Sequence, residues 1–229
     1  LVIDECHSAV WDTYREAWRT IVADIRAHLS PGTPVLSLSA TLPPGTCELY
    51  KKTMKLNDPN VIVGEVDKPR TFIDVRAKTS PKVDLRRMFD MMKQAEGKGC
   101  VIYAPSKAEV KKLGDKLTAL GLKVGIIHGL EEGVDRDQHY NTNADTQKRW
   151  LDGALEVVVA NSAFGLGIDH PNVVLVIVYG LPDSIESFWQ YAGRAARGNS
   201  VIGHCVLYHQ PSDKKIIQSW IQSCNAGDE

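Results

Sequence analysis

Four residues directly behind the opening apolar triplet carry the first chemically suggestive pattern. Leu1-Val2-Ile3 reads as the end of a buried strand, and Asp4-Glu5-Cys6-His7 follows it. In an open α/β sheet, ligands gather beyond the C-terminal ends of the strands. A carboxylate there can hold Mg²⁺, directly or through water, while its neighbour polarises a hydrolytic water. That division of labour suits hydrolysis of a nucleoside triphosphate, although acidic residues after strands are common and the tetrapeptide alone decides nothing. Ser39-Ala40-Thr41 offers small hydroxyls able to hydrogen-bond the acidic cluster, or simply to start a turn or helix. Gln190-Tyr191-Ala192-Gly193-Arg194-Ala195-Ala196-Arg197 sets two arginines three residues apart. On a helix both guanidiniums face one side and can clamp a transferring phosphoryl group; a solvated surface face is the plain alternative.

These residues need elements to position them. Apolar residues recur at helical spacing from Trp11 through Tyr14, Trp18, Ile21, Val22 and Ile25 to Leu29, and Ser30-Pro31-Gly32 ends the run with turn chemistry. Residues 35–38 alternate like a short strand, and Pro43-Pro44-Gly45 marks a break. The stretch 65–81 has no sustained helical period and reads as a connector, dividing the chain into residues 1–75 and 76–229. A helix is expected over 83–96, with Leu85, Met88, Phe89 and Met92 as a core face. Strands at 100–103, 123–127, 156–160, 173–178 and 203–207 then alternate with helices at 107–120 and 184–196 and with a helix whose core is 146–151. β-Branched strands that are apolar throughout, alternating with helices, specify a parallel sheet covered on both faces.

Composition sets outer limits. The chain has 229 residues, 43% of them hydrophobic and 24% charged, with a formal net charge of −1. That composition excludes wholesale disorder and gives no global basic field, so any nucleic-acid contact must come from a local groove. No apolar run is long enough for a membrane helix, and no signal peptide is visible at the N-terminus. Five scattered cysteines, Cys6, Cys47, Cys100, Cys205 and Cys224, form no CxxC pair and favour neither a disulfide framework nor a zinc cluster. A strand beginning at residue one, with no cap or methionine ahead of it, is expected of a piece of a longer protein.

The conjunction is more specific than its parts. Asp-Glu-x-His, Ser-Ala-Thr some thirty residues on and Gln-x-x-Gly-Arg-x-x-Arg after a second α/β segment together resemble a superfamily 2 helicase. Val157 to Val173, with Ala163-Phe164-Gly165-Leu166-Gly167-Ile168 ahead of Pro171-Asn172-Val173, is similar to motif V of RecQ-type DNA helicases. Leu181 to Gln190 resembles that family's approach to motif VI, Cys100–Ser106 its motif IV, and Ile127-His128-Gly129-Leu130 its Tyr-His-x-Gly-Leu element. Some positions depart from the family pattern. Cys6 stands for an alanine, Asn161 for a threonine and Ala196 for a glycine; the stretch 131–145 is longer than the family loop; and Trp11, Tyr14, Arg15 and Trp18 keep the character of the aromatic-rich loop at altered spacing.

The resemblance implies an α/β fold of two RecA-like parallel-sheet domains, the first truncated at its N-terminus. It implies ATP and Mg²⁺ as cofactors and DNA, single-stranded or forked, as partner. Glu5, Arg194 and Arg197 would be catalytic, and Asp4 would hold Mg²⁺ through water. His7, Gly167, Asp169 and Gln190 would serve the nucleotide beside Asp4, while Gly165 and Gly167 permit close backbone approach. Ser106, Asn161, Trp11 and Arg15 would meet nucleic acid, and Ser39 and Thr41 would couple the two sites. The family expectation extends to 3′→5′ unwinding, recombination and repair, and a nuclear location in a eukaryote or a cytoplasmic one otherwise. No Gly-x-x-x-x-Gly-Lys-Ser/Thr phosphate loop occurs in the sequence, so this chain by itself is expected to be inactive. Two other readings stand beside this one: a non-catalytic nucleic-acid-binding remnant, and an unrelated α/β hydrolase or metalloenzyme using Asp4 and His7.

Overall fold

A computed structural model describes residues 1–11, 25, 28–30, 32–95, 98–131, 133–162, 170–197, 201–215 and 217–218. The chain divides into two compact units, Leu1–Asp67 and Lys68–Glu229.

In the first unit, strands β1 (Val2–Ile3) and β2 (Leu36–Ser37) pair in parallel. Helix α1 (Ser8–Trp11) and helix α2 (Pro44–Thr53) accompany them. The apparent break at Pro43-Pro44-Gly45 is in fact a helix start, with Pro44 at the first helical turn, where a missing N–H costs no hydrogen bond. Ile3, Cys6, Val10, Tyr50 and Met54 form the small core. Most of the aromatic run between residues 12 and 24 lies outside the described residues.

The second unit is a six-stranded sheet. Its strands are β3 (Thr71–Ala77), β4 (Gly99–Tyr103), β5 (Val124–Ile127), β6 (Val157–Ala160), β7 (Val173–Tyr179) and β8 (Gly203–His209), in the order β3-β8-β7-β4-β6-β5 with every pairing parallel. Helices α3 (Pro81–Gln94), α4 (Lys107–Ala119), α5 (Arg136–Leu151) and α6 (Ile185–Ala192) complete the unit. Each begins on a hydroxyl or carboxylate cap: Ser80 accepts from the Val83 N–H, Ser106 from Glu109, Asp135 from Gln138 and Ser184 from Ser187. Alternate residues of the central strands feed two cores. Ile102, Val157, Val159 and Ile177 meet Met88, Met92, Val110, Leu113 and Leu117 on one face. Val101, Tyr103, Val158, Val176 and Val178 meet Trp150, Tyr191 and Ala192 on the other. The methionines of α3 are thus core, as their helical spacing predicts.

One expectation here needs correction. The stretch read as a connector contains β3, paired with β8 along its whole length. Its charged Asp74 and Arg76, joined at 2.6 Å, and its exposed apolar residues conceal an edge strand from any burial pattern. The helix whose core is read at 146–151 runs from Arg136 to Leu151. Its first turns are polar and lack an apolar stripe; they are held instead by the Asp135 cap and by His139 Nε2 and Asn143 Nδ2, at 2.8 and 3.0 Å from the His128 carbonyl oxygen.

Candidate functional site

In the first unit, strand pairing brings the acidic box and the Ser-Ala-Thr segment side by side. The Cys6 N–H donates to the Leu38 carbonyl at 2.9 Å, directly beyond the last paired residues. His7 Nδ1 lies 2.8 Å from Ser39 Oγ and 3.4 Å from Glu5 Oε2. Ser39 Oγ also accepts the Thr41 N–H at 3.1 Å. The hydroxyl of Ser39 therefore meets His7, and through it the acidic box. Glu5 adopts φ +49°, a left-handed conformation that non-glycine residues seldom take, while the Asp4 carboxylate accepts the Glu5 N–H at 2.8 Å. Thr41 is buried and Asp4 exposed. Burial pushes the neighbouring Cys6 thiol up to about 11, so it is not a nucleophile at neutral pH.

These donors fit magnesium in one limited way. Among the described residues no group of three His, Cys, Asp or Glu side chains could hold a metal. An exposed carboxylate suits Mg²⁺, which keeps its waters and shares substrate phosphates rather than entering an all-protein cage.

In the second unit, Arg194 and Arg197 do not ride on a helix as their spacing suggests. Helix α6 ends at Ala192, and residues 193–196 form a turn in which Ala196 takes φ +55°. That is the position where the family pattern has glycine. The turn is tied to the start of β7 by the Ala196 N–H, which donates to the Val173 carbonyl at 3.0 Å. Arg197 Nε donates back to the Gly193 carbonyl at 3.1 Å. Both arginines line a small cleft with Val101, Tyr103, Trp150, His170 and Val173. Burial pushes the Tyr103 hydroxyl up to about 12, and Arg194 and Arg197 pull it partly back. The turn carrying the arginines is thus fixed at the N-terminal end of β7, and the cleft they line reaches Tyr103, the last residue of β4. Lys68 lies beside this turn, its ammonium 5.3 Å from the Trp189 ring centroid; no sequence motif links two residues so far apart.

A second cleft, which shares Tyr103 with the first, is lined by Ala104, Pro105, Ser162, Gly180, Leu181 and Asp183 among others, at the C-terminal ends of β4, β6 and β7. Ser106 and Asn161 follow two of those strands. The Ser106 hydroxyl caps α4, accepting the Glu109 N–H at 3.2 Å, and its residue is exposed. Gln190 sits half-buried on α6. Gly167, Asp169, Arg15 and the Trp11 side chain lie outside the described residues.

Comparison with known proteins gives this geometry a context. Residues 83–199 match the family described as helicase conserved C-terminal domain. The chain is 29% identical to a putative ATP-dependent RNA helicase of Acanthamoeba polyphaga mimivirus, over 98% of its own length and 39% of that protein. It is 31% identical to the ATP-dependent DNA helicase RecQ of Pasteurella multocida, over 80% of its length and 27% of that protein. The chain therefore spans well under half of these relatives. Its fold matches Dbp5 of S. cerevisiae, solved bound to RNA and ADP BeF3, with a TM-score of 0.71 at 18% identity, over 97% of this chain and 56% of that one.

Proposed function

The chain belongs to the helicase conserved C-terminal domain family, and from that premise we propose that it is part of an ATP-dependent 3′→5′ DNA helicase of RecQ type. In this reading ATP hydrolysis drives movement along single-stranded DNA. The observation that carries it is the arginine turn: Arg194 and Arg197, separated by a left-handed Ala196, are fixed on the start of β7 at one cleft. Fixed cationic donors aimed at developing phosphate charge are the main protein contribution to phosphoryl transfer.

The acidic box supplies the other half of the chemistry. Glu5 orients and deprotonates the attacking water, with His7 Nδ1 3.4 Å from its Oε2. Asp4 would hold magnesium, which when bound would offset phosphate charge. Ser39 joins His7 to the Thr41 backbone, a route by which nucleic-acid contact reaches the acidic box. Ser106 and Asn161, beyond the C-terminal ends of β4 and β6, meet the DNA backbone through hydroxyl and amide groups. A phosphate loop is still required to cradle the β- and γ-phosphates, so the 229-residue chain alone turns over no ATP.

The test is Arg197→Ala in a chain extended upstream to include a phosphate loop. DNA-stimulated ATPase activity should fall by roughly a thousandfold or more, as for loss of an arginine finger, with DNA binding retained. A variant within a few-fold of the parent removes Arg197 from the mechanism. A non-catalytic remnant would show no nucleotide turnover in the extended parent either.

A further inference from the structure

The arginine turn has a third cation beside it. Lys68 opens the second unit, just ahead of β3. Its ammonium lies against the Trp189 ring and over Gly193, where an added Cβ would collide with it. Backbone hydrogen bonds hold this corner together. The Thr71 N–H donates to the Lys68 carbonyl at 2.9 Å, the Gly203 N–H to Arg70 at 2.9 Å and the Ala196 N–H to Val173 at 3.0 Å. The starts of β3, β7 and β8 thereby carry Lys68, Arg194 and Arg197 on one edge. Burial, then the like charges of Arg197 and Arg194, hold the Lys68 ammonium below the usual lysine range. Three cationic side chains at one corner favour an anion that reaches all of them.

We propose that Lys68 is a third phosphate ligand of this site, contacting the polyphosphate of a nucleoside triphosphate together with Arg194 and Arg197. The assignment rests on the reading that the arginines meet phosphate. A polyphosphate fits better than a nucleic-acid backbone because the cations are gathered at one corner, not strung along a groove. Ser106 and Asn161 stand instead beyond the C-terminal ends of β4 and β6. The Lys68 ammonium lies close beside Gly193, within the turn that carries the arginines.

Titration of the 229-residue chain with inorganic tripolyphosphate at low ionic strength tests this. Lys68→Met keeps an apolar stem over Trp189 and removes the charge, so binding should weaken roughly tenfold or more, the effect of losing a charged hydrogen bond. Lys68→Arg should restore it to within about threefold, and Lys112→Gln, an exposed lysine of α4, should leave it unchanged. A contact also predicts that tripolyphosphate protects Lys68, and not Lys112, from acetylation read by mass spectrometry; a merely structural lysine would show no such protection. Unweakened binding by Lys68→Met, with binding lost in Arg197→Ala, overturns the Lys68 assignment and leaves the arginine reading intact. Unweakened binding in both overturns both. An equal loss in Lys112→Gln marks general charge attraction and overturns the assignment, as does a thymidine oligonucleotide that needs Lys68 more than tripolyphosphate does.

Discussion

Replacing Ala196 with glycine tests whether the arginine turn stores backbone strain. A left-handed conformation costs a non-glycine residue about 1–2 kcal/mol, and Ala196 holds φ +55°. Glycine removes that cost. Against it stand about 0.4–1 kcal/mol of added unfolded-state entropy and about 0.8 kcal/mol for one methyl group, since Ala196 is buried. The expected net effect is near zero. Ala192→Gly, four residues earlier, is the control: it is fully buried at the end of α6, in helical conformation. There glycine relieves nothing, loses about 0.8–1 kcal/mol of helix propensity and the same methyl burial, and should cost about 1.5–2 kcal/mol. With a urea m-value of about 2 kcal/mol/M, the two midpoints should differ by about 0.7–1 M in far-ultraviolet circular dichroism. Equal losses in the two variants would refute the strain argument and make Ala196 an ordinary buried alanine.

Three further predictions bear on the same framework. Gly203→Ala should destabilise the second unit by about 1–3 kcal/mol, as overpacking does, because a Cβ there meets Ala195 Cβ at 2.7 Å and the Ala196 N at 2.9 Å; a urea midpoint equal to the parent's contradicts that corner geometry. Burial raises Tyr103 and Tyr179 to about 12 and Tyr191 upward as well, whereas unfolded phenols titrate near about pH 10. The folded state therefore favours the protonated phenols, and their stabilisation, complete below about pH 10, is lost as pH rises through the folded values. Phenolate absorbance should show these rings ionising well above the ordinary phenol range of about pH 10, and simultaneous titration of every tyrosine near pH 10 in the folded chain would contradict it. Glu5→Gln, in the chain extended to include a phosphate loop, should keep nucleotide affinity while hydrolysis collapses; equal loss of both in equilibrium binding and turnover assays would make Glu5 a structural residue.

Legibility from the sequence followed burial. β4, β6 and β7 are apolar throughout because the sheet buries both of their faces, and that pattern survives without any knowledge of neighbours. β3 is exposed over most of its length and partnered on one side only, so its alternating charged and apolar residues looked like a connector. The first turns of α5 depend on the His128 carbonyl, a tertiary partner invisible to periodicity. The site behaves likewise. The Gly-Arg-x-x-Arg spacing singles out both arginines as candidates, but not that they lie beyond the helix end, because Ala196 has no local signal for a left-handed turn. Lys68 joins them only through the order of β3, β8 and β7 in the sheet.

The two halves of the proposed chemistry share a physical device. Among the described residues, the non-glycine positions with left-handed backbone are Glu5, Lys55, Asp58 and Ala196. Lys55 and Asp58 belong to the chain reversal after α2, where such turns are ordinary. Glu5 and Ala196 lie in the acidic box and between the arginines. Strain of this size persists only where the surroundings over-determine the backbone, and at both places a neighbouring strand does so. The Cys6 N–H is bound to the Leu38 carbonyl beyond β2, and the Ala196 N–H to Val173 at the start of β7. In each case a hydrogen bond to a neighbouring strand or its extension turns a sharp bend in the chain into a fixed direction for a charged side chain. A helix would have aimed Arg194 and Arg197 by its own periodicity. The turn aims them by reference to the sheet, so that their position is set by the most deeply buried strands of the unit. For phosphoryl transfer, where positioning and charge stabilisation supply nearly all of the catalysis, that anchoring is the property the two sites most need.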